Sequence, residues 1–322
     1  MNSLNPPEQN TILKSWVGQS SVEVQILCAA YNHAKYIRQT LDGFLAQKTK
    51  FKFEIIVRDD ASSDATRSII SEYKDKYPDI IKTIFYSENQ FRKNGTSPLY
   101  DILRHADAKY VAICEGDDYW VDENKLQKQF EVMESNPGIA FCCHRVHVLY
   151  ETVVGTPYRP YGDAKIGRFV FQDALKAHFI PTLSLFCRNE YIPRELPDFF
   201  YKILSRDIFI ELSMLTKGDG FYIDDVLGVY RHHDGGLTKQ PTSVEETRQR
   251  ELLLYEGLKN CLPTKYSSML HKKIPEINYT AFRKAMARGE IILSLRYACL
   301  AIARDPFVIL KMGFRALQRK MH

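Results

Sequence analysis

Between residues 22 and 143 the chain repeats one pattern: a short apolar run that suits a strand, then a stretch with apolar residues at helical spacing. Residues 22–28, 53–57, 81–86, 110–114 and 139–143 read as strands, and residues 34–47, 64–77, 98–106 and 122–135 as helices. In the first of these helices Ile37, Leu41, Phe44 and Leu45 fall on one face. Asp64 or Ser63 is placed to cap the second, which Pro78 ends, and Asn136-Pro137-Gly138 stops the last. Strands alternating with helices at this spacing imply an α/β fold, with a mostly parallel sheet covered by helices on both faces. Ligands of such sheets bind beyond the carboxyl ends of the strands, and the polar motifs of this chain fall there.

The rest of the chain is less regular. Residues 1–21 are polar, contain Pro6-Pro7 and read as a loose arm. Residues 146–240 are rich in Tyr, Phe, Pro and Gly, which suits a region that shapes an acceptor. Residues 241–322 read as a helical extension with breaks at Pro263, Pro275 and Pro306. No internal repeat or low-complexity tract occurs.

A composition of 45% hydrophobic and 26% charged residues is that of a soluble globular chain, and a net charge of +5 over 322 residues is too weak to argue for nucleic acid. The first residues lack the blocks of a secretory signal, and no run of about 18 apolar residues occurs, so the expected location is the cytoplasm with no membrane span. Seven cysteines, with no C-x-x-C pair and with Cys28, Cys114, Cys142, Cys143 and Cys187 among apolar neighbours, read as reduced core residues.

Three acidic groups follow strand-like segments or open a helix: Asp59-Asp60, Glu115-Gly116-Asp117-Asp118 and Asp207. Each alone suits a turn, a cap or a helix-dipole partner. The parallel sheet, however, brings the first two to one edge. Adjacent carboxylates repel unless a divalent cation or several donors hold them, and Mg²⁺ takes only one or two protein carboxylates and fills its shell with water and substrate phosphates. The cluster therefore points to a metal-diphosphate site.

Four segments in order resemble the family 2 glycosyltransferases of GT-A fold. They are Val24 to Asn32 with Leu41-Asp42-Gly43-Phe44-Leu45-Ala46-Gln47, the Arg58-to-Thr66 turn, the Glu115-Gly116-Asp117-Asp118 cluster, which is similar to the family's D-x-D motif, and Tyr230 to Thr238, which resembles its Y-R-x-H loop. The likeness spans about residues 22–240, with 22–145 as the nucleotide-sugar half. It implies an inverting transfer from a nucleotide-diphosphate sugar, with UDP favoured, to a glycan or lipid-linked hydroxyl, in synthesis of bacterial surface polysaccharide. By the same resemblance, Ala29, Tyr31 and Asp60 would line the base and ribose, Asp117 the ribose side, and Asp118 would hold Mg²⁺ or Mn²⁺. Asp207 would be the catalytic base, and Arg231 and His233 would lie on the loop over the diphosphate.

This sequence departs from the family pattern at Arg58, where an apolar or small residue is frequent, and at Arg206, where an acid is frequent. Arg206 lowers the basicity expected of Asp207 and leaves Glu211, one turn on, as the substitute. Arg92 and Lys93 are the candidate phosphate cations of residues 89–100. Of His232-His233, at most one is expected to enter the site, because neighbours on an extended segment point opposite ways. Two other readings fit less well. A nucleotide-sugar pyrophosphorylase needs an early glycine-rich loop that residues 28–38 lack, and a non-catalytic sugar-nucleotide or glycan-binding module would have lost carboxylates that are all present. No G-x-G-x-x-G follows the first strand, which disfavours a dehydrogenase. Residues 302–322 carry five bases and one acid, and are expected either to pack on the domain or to touch an anionic membrane.

Overall fold

The computed structural model describes residues 4–16, 18, 20–95, 98–151, 158–161, 165–177, 179–235 and 243–312. Its strands are β1 (Val22–Ala30), β2 (Lys52–Asp59), β3 (Ile81–Phe85), β4 (Tyr110–Ile113), β5 (Tyr119–Trp120), β6 (Ile139–Tyr150), β7 (Tyr158–Pro160), β8 (Gly167–Phe169), β9 (Phe186–Arg188) and β10 (Asp219–His232). The helices are α1 (Gln9–Ser15), α2 (Ile37–Leu45), α3 (Thr66–Lys76), α4 (Gln90–Asn94), α5 (Pro98–Leu103), α6 (Lys125–Ser135), α7 (Phe171–Lys176), α8 (Arg206–Met214), α9 (Val244–Cys261), α10 (Ser267–His271), α11 (Lys273–Ala287) and α12 (Ile291–Ile302).

One sheet runs in the order β3-β2-β1-β4-β9-β6-β10-β5, with β7 on β6 and β8 on β10. The β3-β2-β1-β4 half is parallel, as the alternation of strands and helices requires. The other half is mixed: β9 runs antiparallel to both β4 and β6, while β10 lies parallel to β6. Residues of β1 and β2 are buried on both faces, because helices cover both sides. Ile37, Leu41, Phe44 and Leu45 of α2 are all buried in the main core, each side chain contributing about 1.5–3 kcal/mol by leaving water.

The structure amends the sequence reading in three places. Residues 9–15 of the expected loose arm form α1, whose Ile12 joins the neighbouring Trp16 in the main core. Trp16 packs edge-on to Phe53 and donates its indole N–H to Thr49 Oγ1 at 3.0 Å. Pro275 does not break a helix but sits in the first turn of α11, where its missing N–H has no partner to lose. The irregular middle contains the 14-residue β10, whose register shifts between Ile223 and Val226, around Asp224-Asp225. That irregularity erases the alternation by which a strand is recognised.

Contacts divide the chain into two units, Met1–Arg194 with Ile210–Gly236, and Glu195–Phe209 with Leu237–His322. In the second, Ser243 caps α9 by accepting from Glu246 N at 3.0 Å. Glu245 accepts from Tyr297 Oη at 2.5 Å and pairs with Arg248, tying α9 to α12. Val244, Ala281, Ala285 and Tyr297 form a small core there. All seven cysteines are free, and the five named from sequence are buried.

Candidate active site

Parallel registry sets the geometry. Ala30 pairs with Asp59, and Leu27 with Ile113, so the loops after β1, β2 and β4 leave the sheet at one edge. The first two loops are locked together. Asn32 N donates to Ser62 Oγ at 2.9 Å, Ser63 N to Asn32 Oδ1 at 2.8 Å, His33 N to Thr66 Oγ1 at 2.8 Å and Ala34 N to Asp64 Oδ2 at 3.0 Å. Asp64 thus holds both loops, its Oδ1 also accepting from Thr66 N at 2.9 Å. Asn32 and Ala61 take left-handed backbone conformations, with φ of 54° and 58°.

The β2 carboxylates are engaged within the protein. Asp59 Oδ2 accepts from Ser62 N at 3.2 Å and Arg67 Nε at 3.0 Å. Asp60 is 1% exposed. Its Oδ1 accepts from Arg58 Nη2 at 3.0 Å and Gln90 N at 2.8 Å, and its Oδ2 from Phe91 N at 3.2 Å. Arg58 is fully buried and its Nε donates to Asp101 Oδ2 at 2.8 Å, which also accepts from Tyr86 Oη at 2.7 Å. The arginine that departs from the family pattern is therefore the cation of a buried network, and Asp60 is turned toward it and toward the start of α4. Tyr31 lies under the Arg92 guanidinium, 5.6 Å from its ring centroid, and Lys93 pairs with Glu88. Ala29, on β1, is half-buried.

The turn after β4 is built differently. Gly116 N donates to Ala29 O at 2.9 Å. A Cβ on Gly116 would meet His33 Nδ1 and Ile37 Cδ1 at 2.9 Å, so any larger residue between these acids would push those side chains aside. Thr40 of α2 donates to Asp118 O at 2.6 Å. The Asp118 carboxylate is 2% exposed and its Oδ1 accepts from Arg231 N at 2.8 Å. Burial raises its pKa well above the carboxylate range, and the charges of Asp117 and Glu115 push it further.

Asp117 moves the opposite way. Burial would raise it, but hydrogen bonding from His233 and the charge of His33 hold it below its ordinary value. His233 Nδ1 accepts from Gly235 N at 3.2 Å, so the ring proton sits on Nε2 and donates to Asp117 Oδ2 at 3.0 Å. His33 Nε2 is 3.6 Å from the same oxygen. His232 points elsewhere, its ring 5.0 Å from that of Tyr150. Arg231 donates to Asp117 O and Gln39 Oε1 and lies over the rings of Tyr119 and Tyr36 at 4.3 and 4.9 Å. Tyr119 and Trp120 anchor the turn: Trp120 is buried against Phe44 and donates to Leu183 O at 3.0 Å.

Of the residues named from sequence, Asp117, Asp118, Arg231 and His233 come together, and Ala29, Tyr31 and Asp60 stand on the adjoining strand ends of the same unit. His33 and Gln39 join the cluster, and no sequence motif marked them. Asp207 opens α8 in the second unit. Arg206 donates to the carbonyls of Phe200 and Tyr201 at 3.2 and 3.0 Å. Glu211 is 2% exposed and lies near Cys143 and Cys187, whose thiols are raised first by burial and further by its charge. Gly236, Leu237 and Thr238 of the loop lie outside the described residues.

Among the described residues, no three His, Cys, Asp or Glu side chains form a ready metal cage. The donors nonetheless fit a hard divalent ion, which needs only one or two protein carboxylates when diphosphate and water supply the rest. A crowded buried carboxylate such as Asp118 is relieved by such a cation.

Three likenesses accord with this geometry. The chain is 34% identical over 215 residues to an uncharacterized protein of Mycobacterium tuberculosis, covering 66% of this chain and 60% of that one, so it spans about three-fifths of that relative's length. It is 36% identical over 112 residues to an Escherichia coli protein named UDP-Glc:alpha-D-GlcNAc-diphosphoundecaprenol beta-1,3-glucosyltransferase WfaP, covering 35% and 41% of the two chains. Its fold matches the crystal structure of Staphylococcus aureus TarS residues 1–349 in complex with UDP-GlcNAc, with a TM-score of 0.63 over 88% of this chain and 81% of that one, at 16% identity. The sheet is thus of the GT-A type. The model of glycosyl transferase family 2 matches residues 26–192, more than half of the chain, and the protein belongs to that family.

Proposed function

We propose that the protein is an inverting glycosyltransferase that moves a sugar from a UDP-sugar to a hydroxyl of a lipid-linked glycan, in assembly of a bacterial surface polysaccharide. The observation that carries this reading is the convergence of Asp117, Asp118, Arg231 and His233 at the carboxyl end of β4 in a chain of this family. The UDP-GlcNAc bound by TarS and the donor and diphosphoundecaprenol acceptor in the name of WfaP support the choice of substrates.

In this reading Ala29 and Tyr31 line the base and ribose, and Asp60 shapes that side through its grip on Gln90 and Phe91. Asp117 faces the ribose. Asp118 is the protein ligand of Mg²⁺ or Mn²⁺, which when bound supplies positive charge against the diphosphate. The Arg231 guanidinium stabilises charge that develops on the departing nucleoside diphosphate, and His233 holds Asp117 ionised. Asp207 takes the proton of the acceptor hydroxyl as its oxygen bonds to the anomeric carbon and the bond to the diphosphate oxygen breaks. Such a base is typically worth about 10²- to 10⁴-fold.

Titration of UDP with Mn²⁺ beside a released-nucleotide assay tests the assignment. Asp207→Asn should bind UDP as the native protein does while turnover falls about 10²-fold or more. Native turnover in this variant removes Asp207 from the mechanism, and absence of release from any UDP-sugar removes the donor.

A further inference from the structure

We infer that the outer face of α12, with the turn of helix that follows it, is a docking surface for an anionic lipid bilayer. This rests on the lipid-linked acceptor proposed above, which would place the second unit against the membrane that holds that acceptor.

The inner face of α12 is occupied: Ser294, Tyr297 and Ala301 are buried, and Val308 joins the second small core of this unit. The outer face is apolar as well. Ile292 is 87% exposed and Leu295 60%, and Ile291, Cys299 and Ile302 are exposed too. Phe307 and Leu310 continue the exposed apolar surface, at 62% and 71%. A helix apolar on both faces belongs in a core or in lipid, and among the described residues none covers the second face. With 12 residues α12 is about 18 Å long, too short to cross a hydrocarbon core of about 30 Å, so it lies along the surface.

Charge selects the occupant. From residue 283 to 312 the chain carries Arg283, Lys284, Arg288, Arg296, Arg304 and Lys311 against Glu290 and Asp305, and all six bases are exposed. Asp305 is already neutralised by Lys311 at 2.7 Å. Through residue 322 the sequence adds three bases and no acid, so residues 283–322 carry nine bases and two acids. Their net +7 exceeds the +5 of the whole chain, leaving the remainder negative. Arg296 stands on the same outer face, one helical turn from Ile292 and from Cys299. Against a second copy it would bring like charges into the contact, whereas against a bilayer its stem lies on the acyl boundary and its guanidinium meets lipid phosphates. Each base near an anionic leaflet strengthens binding by about fivefold.

The test is co-sedimentation of the full chain with vesicles of phosphatidylcholine alone or with about one-third phosphatidylglycerol, containing no acceptor lipid. The outcome therefore does not depend on the catalytic reading. The native chain should bind the anionic vesicles at least tenfold better than the neutral ones, and 0.5 M salt should reverse this. Ile292→Gln with Leu295→Gln removes no buried contact and should lower binding about tenfold or more, as should Arg296→Glu, while Val170→Gln in the first unit leaves it unchanged. Equal binding by the native chain and the α12 variants, or no binding by the native chain, overturns the inference. So does a dimer in analytical ultracentrifugation that Ile292→Gln with Leu295→Gln dissociates, since that assigns the face to a second copy.

Discussion

The two pairs of adjacent aspartates, Asp59-Asp60 after β2 and Asp117-Asp118 after β4, look alike as text and are opposite as electrostatics. The β2 pair is answered from within: Arg67, the Ser62 amide, Arg58 and the amides of Gln90 and Phe91 take three of its four oxygens, and only Asp59 Oδ1 is left without a partner among the described residues. The β4 pair is answered unequally. Asp117 has His233 and His33, but Asp118 has one backbone N–H from Arg231 and two carboxylates beside it, and its pKa is driven up. A pair compensated by arginines holds loops in place, whereas an under-compensated pair is where an external cation gains most.

The comparison breaks most visibly at Asp118. Asp118→Asn should lower transfer by about 10³-fold or more and abolish the metal-dependent part of UDP binding. Folding should not suffer, because the amide oxygen still accepts from Arg231 N while a crowded charge disappears. Release assays beside urea denaturation decide this, and a variant that unfolds early while retaining activity would reverse the two roles.

Arg58→Met attacks the other pair. It leaves Asp60 and Asp101 buried without their shared cation and should cost about 3–5 kcal/mol in urea unfolding. A loss below about 1 kcal/mol would show that the β2 pair does not need its arginine.

Lys125 sharpens the contrast, since a buried amine near β4 makes no ion pair with the acids there. Its Nζ sits 3.6 Å from the Trp120 ring centroid, and burial lowers its pKa to about 7 from an ordinary 10.5. Between those values the unfolded chain holds a proton that folded Lys125 has released, so this group makes stability rise with pH across that window. Lys125→Met should remove a rise on the order of 4 kcal/mol or less. A native-like slope in the variant, followed by thermal melts from pH 6 to 10, would place the titration elsewhere.

The smallest effect lies in the turn that carries the β2 pair. Ala61 holds a left-handed φ of 58°, so Ala61→Gly should gain up to about 1 kcal/mol, strain relief being partly offset by the freer unfolded chain. A loss of stability would show that the Ala61 side chain contributes packing that outweighs the strain.

The parallel half of the sheet and its covering helices were legible because burial on both faces makes each strand an apolar run and each helix an apolar stripe, and these are local patterns. The same holds for the acid pairs and for glycine between Glu115 and Asp117. Strand β10 was not legible, because the irregularity around Asp224-Asp225 breaks its alternation, and neither was α1, where Ile12 and the adjoining Trp16 carry a polar segment into the core. Nor does local pattern tell one aspartate pair from the other. That difference depends on which groups the fold brings back from far along the chain: Asp101 against Arg58, Arg231 and His233 against Asp118 and Asp117, and His33 across the loop. The order of strands and the carboxylates at their ends are properties of the sequence, since they follow from neighbours. Which carboxylate is compensated, and which is left crowded, was decided only by the tertiary structure, because charges separated by a hundred residues interact through space.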